Sequence, residues 1–225
     1  MIPKIIHYCW FGRKPKPEKV IEYINTWKDH CPDYEIIEWN EDNFDVCSLV
    51  YTREAYEMKK FAFVSDVCRL YALSQMGGIY MDTDVEVLKS FDSLLHYSSF
   101  LGKEMPYKLS TAVIGASPST QWVKDFLQTY NSKHFIWKFG KLNTIENTAL
   151  LTSFFNQKYP LYDDEVTVFD IEYLSAKYFS TGKYHITPNT FAVHHFSGSW
   201  LQKKQSYVNR IAAMIKRYFK QNQIV

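Results

Sequence analysis

The stretch Phe63–Glu86, FVSDVCRLYALSQMGGIYMDTDVE, decides how the chain is read. From Phe63 to Met76 the apolar residues Val64, Val67, Leu70, Tyr71 and Leu73 return at helical spacing. Gly77-Gly78 then ends the run, where left-handed backbone angles cost a glycine little. Ile79-Tyr80-Met81 predicts a short strand, which the chain leaves through Asp82-Thr83-Asp84 before apolar alternation resumes at Val85 and Val87. Two carboxylates at a strand end cannot both be buried unpaired, because an isolated buried carboxylate is too costly to keep ionised. A divalent cation is their natural partner, since Mg²⁺ or Mn²⁺ is typically held by one or two carboxylates together with the phosphates of a substrate. A lone Asp-x-Asp is more often an exposed turn. Here Asp66 and Arg69, three apart on the preceding helix, share a face and add a second charged pair; taken alone they would be a plain surface pair.

The run Ser65-Asp66-Val67-Cys68-Arg69, Gly77-Gly78-Ile79-Tyr80, Asp82-Thr83-Asp84 resembles the core of family 32 glycosyltransferases and the related large clostridial glucosylating toxins. Those proteins carry Ser-Asp-x-x-Arg, Gly-Gly-x-Tyr and Asp-x-Asp in this order. The resemblance implies an α/β fold: one Rossmann-like nucleotide-sugar domain of the glycosyltransferase A type, with a mixed, mostly parallel sheet flanked by helices. It also implies that Asp66 and Arg69, with Ser65, hold the donor sugar, that Tyr80 lies beside the nucleotide, and that Asp82 and Asp84 bind ribose and metal.

The chain has 225 residues, a hydrophobic fraction of 46% and a formal net charge of +2. That is ample for one globular domain, and the charge is too small to argue for a nucleic-acid partner. Four cysteines, Cys9, Cys31, Cys47 and Cys68, make no Cys-x-x-Cys pair, so no zinc or redox motif is expected. Met1-Ile2-Pro3-Lys4 leads straight into a strand-like run and no stretch of 18 apolar residues occurs, so the expected compartment is the cytoplasm, with reduced thiols.

Ile2–Trp10 reads as a first, central strand, and nucleotides bind at the carboxyl ends of strands in open α/β sheets. By resemblance to family members that begin Ile-Pro-Lys-Ile-Ile-His-x-x-Trp, Trp10 stacks on the base; His7 is expected to be a packed strand residue. A helix from Glu18 to His30 and a strand Glu35–Trp39 complete a strand-helix-strand unit. Asn40 at its end is a candidate for a base or ribose contact, or an ordinary turn residue. Further strands are expected at 99–103, 111–116 and 166–169, with Glu104–Ser110 lining the acceptor side. A helix Gln121–Asn131 is expected to carry Pro118 in its first turn. Where the family commonly has Thr-Gly-Pro this chain has Glu146-Asn147-Thr148-Ala149, so Glu146 and Asn147 are candidate donor or acceptor contacts.

The run His194-His195-Phe196-Ser197-Gly198-Ser199-Trp200 resembles the carboxyl-terminal metal histidine of A-type glycosyltransferases. The resemblance makes His195 the third metal ligand and lets Ser199 and Trp200 close over the diphosphate. His194, on the opposite face by the two-residue period, is then structural. Residues 1–203 form the expected catalytic domain. Residues 204–225 form a basic amphipathic helix, either docked on it or lying on the inner face of an anionic membrane.

The expected function is that of a metal-dependent, retaining hexosyltransferase using Mn²⁺ or Mg²⁺. It would move sugar from a UDP- or GDP-linked donor to a saccharide or lipid-linked saccharide acceptor, in capsular or other surface polysaccharide synthesis. The alternatives are a nucleotidyltransferase, against which the absence of a glycine-rich phosphate loop with Lys argues, and a non-catalytic carbohydrate-binding module.

Overall fold

A computed structural model describes residues 1–158 and 164–197. Ser199, Trp200 and the expected tail helix lie outside the described residues, so the 203/204 boundary does too. In chain order the elements are β1 (Ile5–Cys9), α1 (Glu18–His30), β2 (Glu35–Trp39), α2 (Val50–Glu57), α3 (Phe61–Met76), β3 (Gly78–Met81) and β4 (Val85–Val87). There follow β5 (Ser99–Met105), β6 (Lys108–Ala116), α4 (Gln121–Gln128), α5 (Asn147–Lys158), β7 (Thr167–Phe169), α6 (Ile171–Leu174) and β8 (Ala192–His194). No helix among the described residues is long and apolar enough to cross a membrane.

Six strands form the main sheet in the order β2-β1-β3-β6-β5-β7. The β1–β2, β1–β3 and β5–β7 pairs are parallel, while β6 runs antiparallel to both β3 and β5. The sheet is therefore mixed and mostly parallel. β4 and β8 pair separately as a two-stranded antiparallel ribbon. A core on each side of the sheet holds these layers. Val64, Val67, Leu70, Trp122, Phe126, Leu151 and Phe155 pack with α3, α4 and α5 on one side. Ile24, Trp27, Val85, Val87, Phe91 and Ala192 pack with α1 and the ribbon on the other.

The amphipathic stripe of α1 turns Tyr23, Ile24 and Trp27 inward, and the Trp27 indole N–H donates to the Val85 carbonyl at 2.8 Å, so the first crossover helix also anchors the ribbon. α3 buries nine of its residues, including the charged Asp66 and Arg69. Tyr71, expected inside, is partly exposed and meets Trp39 and Phe44 with its ring.

The Gly77-Gly78 turn between α3 and β3 demands glycine. Gly77 has φ +65°, Gly78 has φ +101°, and a β-carbon on Gly78 would stand 2.7 Å from the Ile5 carbonyl oxygen. His7 pins this turn. Fully buried on β1, it accepts the Trp39 indole N–H on Nδ1 at 3.1 Å, so Nε2 carries the proton and donates to the Gly77 carbonyl at 2.8 Å. Burial lowers its pKa and keeps it neutral, as suits a packed strand residue.

Three local expectations are corrected. β1 starts at Ile5 rather than Ile2, because the Ile5 N–H turns back to the Pro3 carbonyl instead of joining the ladder. Pro118 lies before α4, which begins after Thr120, with Ser117, Ser119 and Thr120 hydroxyls linked across the turn. The strands expected at 99–103 and 111–116 run longer, since β5 and β6 extend through Glu104–Ser110 as a hairpin turning at Pro106-Tyr107. The four cysteines are unpaired.

Candidate active site

The Asp82-Thr83-Asp84 turn leaves the carboxyl end of β3. β1 lies beside β3 with His7 level with Tyr80, so two residues further along Cys9 is level with Asp82 and Trp10 is one strand away from the acidic turn. Two backbone bonds shape the turn: the Asp82 N–H donates to the Ala112 carbonyl at 2.8 Å, and the Val85 N–H to the Asp82 carbonyl at 3.1 Å.

Arg69 is the organising cation. It is buried and donates through Nη1 to the Thr111 carbonyl at 2.6 Å, through Nη2 to Asp66 Oδ1 at 2.8 Å and through Nε to the Ser65 carbonyl at 3.3 Å. Its Nη2 also stands 3.4 Å from Asp82 Oδ1, and its guanidinium carbon lies 4.6 Å from the centre of the Tyr80 ring. One fork thus ties helix, sheet and acidic turn together, as five donors in a fixed plane allow. The guanidinium stays charged despite its burial, because Asp82, Tyr80 and Asp66 surround it.

Burial, with some help from Asp82, pushes the Asp66 carboxyl up to about 7 against the pull of Arg69 and of the Asn147 amide. Near neutral pH it can therefore either donate or accept a hydrogen bond. Burial and the neighbouring Asp84 raise Asp82 as well, against Arg69. Asp84 is the exception. Burial would raise it too, but the His194 imidazole and the Ser197 backbone outweigh that and hold its carboxyl below the ordinary range. Its Oδ1 lies 3.3 Å from His194 Nε2, and its Oδ2 accepts the Ser197 N–H at 2.7 Å.

Asp82, Asp84 and His194 each offer a ligand atom, and these atoms lie within 4.8 Å of one another. Opposite ligands of an octahedral Mg²⁺ stand about 4.2 Å apart, so one-carboxylate-plus-one-carboxylate-plus-imidazole fits a small hard or borderline cation with open positions left for substrate oxygens. His194 Nδ1 is buried without a partner among the described residues, and its Nε2 faces the Asp84 carboxylate.

His195, the expected third ligand, is not at this place. Its Nε2 is 2.8 Å from Glu86 Oε2, its ring stacks on Tyr23 with centroids 4.6 Å apart, and its Nδ1 is 3.4 Å from the Tyr184 hydroxyl. The ribbon register explains why His195 meets Glu86. Val85 pairs with His194 and Glu86 with Val193, so His195, two residues beyond Val193, falls on the Glu86 face and His194 on the other. In the purified protein, His194→Gln should weaken Mn²⁺ binding by about tenfold or more, and His195→Gln by clearly less. Titration followed by Mn²⁺ electron paramagnetic resonance checks this, and the reverse ranking would reinstate His195.

Two further candidates are placed differently from expectation. Tyr80, expected beside the nucleotide, is turned by strand alternation under Arg69, 1% exposed, and reaches the acidic turn through its hydroxyl, which donates to Asp82 Oδ1 at 2.9 Å. The Asn40 side chain is spent on its own turn, its Oδ1 accepting the Asp42 N–H at 2.8 Å and its Nδ2 donating to Glu38 at 3.2 Å. Ser65 bonds back to the Phe61 carbonyl at 3.1 Å, inside α3. Trp10 stays half-buried at the end of β1, with its indole N–H on the Lys14 carbonyl at 2.6 Å.

Other side chains join the site. Asn147, buried at the start of α5, accepts the Tyr130 hydroxyl at 2.9 Å on Oδ1 and turns its amide toward Asp66 without a well-formed hydrogen bond. Glu104 on β5 is nearly buried, lies 2.9 Å from Lys108 Nζ and is close enough to raise the pKa of His194. A carboxylate in a strand of otherwise buried residues was the signal that could have marked it.

Residues 17–101 match the glycosyltransferase sugar-binding region containing a DXD motif. Over that stretch the chain is similar to the DXD-containing glycosyltransferases. It is 28% identical over 154 residues to inositol phosphoceramide mannosyltransferase 3 of Schizosaccharomyces pombe, a match covering 67% of this chain and 43% of that protein. It is 30% identical over 144 residues to mannosyl phosphorylinositol ceramide synthase SUR1 of Saccharomyces cerevisiae, covering 60% of this chain and 36% of that one. The chain therefore spans less than half the length of these two relatives. Among solved structures the PaToxG glycosyltransferase superposes with a TM-score of 0.57 at 22% identity, covering 72% of each chain, and fixes the glycosyltransferase A-type fold.

Proposed function

We propose that this protein is a metal-dependent, retaining hexosyltransferase. It takes a sugar from a UDP- or GDP-linked donor and passes it to a saccharide or lipid-linked saccharide acceptor. The observation that carries the reading is the meeting of Asp82, Asp84 and His194 beside a buried Arg69–Asp66 pair at the carboxyl end of β3. The relatives are named for mannose transfer to, or synthesis of, inositol phosphoceramides, which supports mannose as the first sugar to test and a lipid-linked acceptor alongside surface polysaccharide. A cytoplasmic site of action is part of the same proposal.

Trp10 offers a flat face one strand from the acidic turn, where a base can stack. Asp66, near its midpoint of ionisation, can hold a sugar hydroxyl as donor or acceptor, and Arg69 keeps it in place. The Asn147 amide, turned the same way, has a donor to spare for the sugar. A divalent cation at Asp82, Asp84 and His194 would neutralise the charge that grows on the leaving diphosphate. In a front-face transfer the sugar–phosphate bond breaks and the acceptor oxygen bonds to the same face of the sugar. The acceptor proton passes to the departing phosphate oxygen, so no protein nucleophile is needed.

The test is release of nucleoside diphosphate from a panel of UDP- and GDP-sugars, GDP-mannose included, with Mn²⁺, Mg²⁺ or excess chelator. One or a few donors should be hydrolysed, and only with metal. Equal release in chelator would remove the metal from the mechanism. No release, together with no nucleoside diphosphate binding by calorimetry, would remove the transferase reading.

A further inference from the structure

The connection between α4 and α5 presents a tip whose chemistry the transferase reading does not use. Lys133–Asn143, KHFIWKFGKLN, contains four basic or potentially basic side chains and no acid. Its base is firmly built. The Glu54 carboxylate accepts the Phe135 and Ile136 N–H groups at 2.8 and 2.9 Å, and the Asn143 N–H donates to the Phe135 carbonyl at 2.7 Å. Ile136 bridges to Leu142, and the Trp137 N–H donates to the Lys141 carbonyl at 2.7 Å.

On this base Phe139 stands fully exposed with φ +62°, followed by Gly140 at φ +74°. Two successive left-handed residues turn the chain sharply and throw the phenyl ring outward, although a side chain rarely accepts such angles. Trp137 is 41% exposed beside it, with Lys141 Nζ 5.6 Å from its ring, and Lys138 completes the rim. The same connection is tied to the β5–β6 hairpin, where Lys108 Nζ holds Glu146 at 2.6 Å, and Tyr107 and Ile145 beside that pair in sequence are exposed.

We infer that the Trp137–Lys141 tip docks on the surface of an anionic phospholipid bilayer, with Phe139 and Trp137 among the headgroups and Lys138 and Lys141 on the lipid phosphates. Three features favour a bilayer over a protein. Phe139 stands fully exposed at the tip, with no neighbour covering its ring among the described residues. Its aromatics are those that settle at a membrane interface, and its charge is of one sign, complementary to anionic headgroups. The same segment leads directly into Asn147 beside Asp66, so docking would set the mouth of the site toward the lipid surface. The inference stands on the tip alone and does not need the transferase reading to be correct.

The test is co-sedimentation of the full chain with phosphatidylcholine vesicles with and without phosphatidylglycerol at low salt. Binding should require the anionic lipid, and Phe139→Gly with Trp137→Ala should lower the partition coefficient about tenfold. Phe139→Gly suits the left-handed backbone, so its melting temperature should be unchanged or higher and its donor hydrolysis without vesicles unchanged, which separates lost docking from misfolding. No sedimentation of the parent chain overturns the inference, and so does equal sedimentation of the variant, which would move membrane contact to the basic tail. Concentration-dependent dimers abolished by the same variant, with no vesicle binding, would assign the tip to a second copy and also overturn it.

Discussion

Asp84→Asn should lose at least about a hundredfold in metal-stimulated donor hydrolysis while keeping its circular dichroism spectrum. The substitution is nearly isosteric, and the amide oxygen can still accept the Ser197 N–H that now meets Oδ2 at 2.7 Å. What disappears is the negative charge facing His194 Nε2 at 3.3 Å, on which cation affinity depends. The fold is spared for a further reason: removing one of two adjacent buried acids relieves the repulsion that raises Asp82. Nucleoside diphosphate release at saturating Mn²⁺, measured for parent and variant, decides the matter. A variant retaining most of the parent rate would show that the acidic turn is not where catalysis draws its charge.

Arg69→Met should be destabilised by about 3–5 kcal/mol, because it strands Asp66 and Asp82 without their buried cation. The Thr111 and Ser65 carbonyls lose their donors at the same time. By contrast Lys103→Met, which breaks the exposed pair with Asp170 at 2.8 Å, should change stability by less than about 1 kcal/mol. Urea unfolding in chelator gives both numbers. The Arg69→Met deficit should shrink on acidification. A carboxyl such as Asp66, with a folded-state pKa of about 7 against 3.8 in the unfolded chain, binds its proton preferentially in the folded protein, so it costs nothing below the lower value and progressively more as pH rises toward the upper one. Without the guanidinium that upper value moves further up. Adding Asp66→Asn should restore part of the loss at neutral pH, and a single variant within about 1 kcal/mol of the parent would mean that the pair is not structural.

Local signals made much of this molecule readable. α1 and β2 run where their patterns placed them, since Pro17 precedes the helix and Pro32 stands in the turn before the strand. The acidic turn was legible for the same reason, since Gly77-Gly78 and the following strand lie next to it in the chain. Illegible features depend on partners remote in sequence. The direction of β6 against β3 is set by pairing Gly78 with Ala116, and nothing within either strand announces it. Which imidazole meets Asp84 was not legible: both histidines satisfy the same motif, and although the register sets Asp84 level with His195, its carboxylate turns to His194 while His195 goes to Glu86. The packing of Tyr80 under Arg69 was not legible, because a Gly-Gly-x-Tyr pattern says where the backbone goes, whereas that packing needs α3 in place. The expected ligand set and the cluster that the structure brings together share Asp82 and Asp84 and differ in the histidine.

The β4–β8 ribbon also imposes an order on biosynthesis. A ribosome has delivered α3, β3 and the rest of the main sheet before it makes Ala192–His194, so the nascent protein must tolerate its acidic couplet with no imidazole opposite. Arg69 is already threaded between helix and sheet by then and supplies the restraint in the interval. On the proposed reading, cation capture would be the closing event of maturation, and a product released before β8 would hold the two carboxylates and lack their third companion.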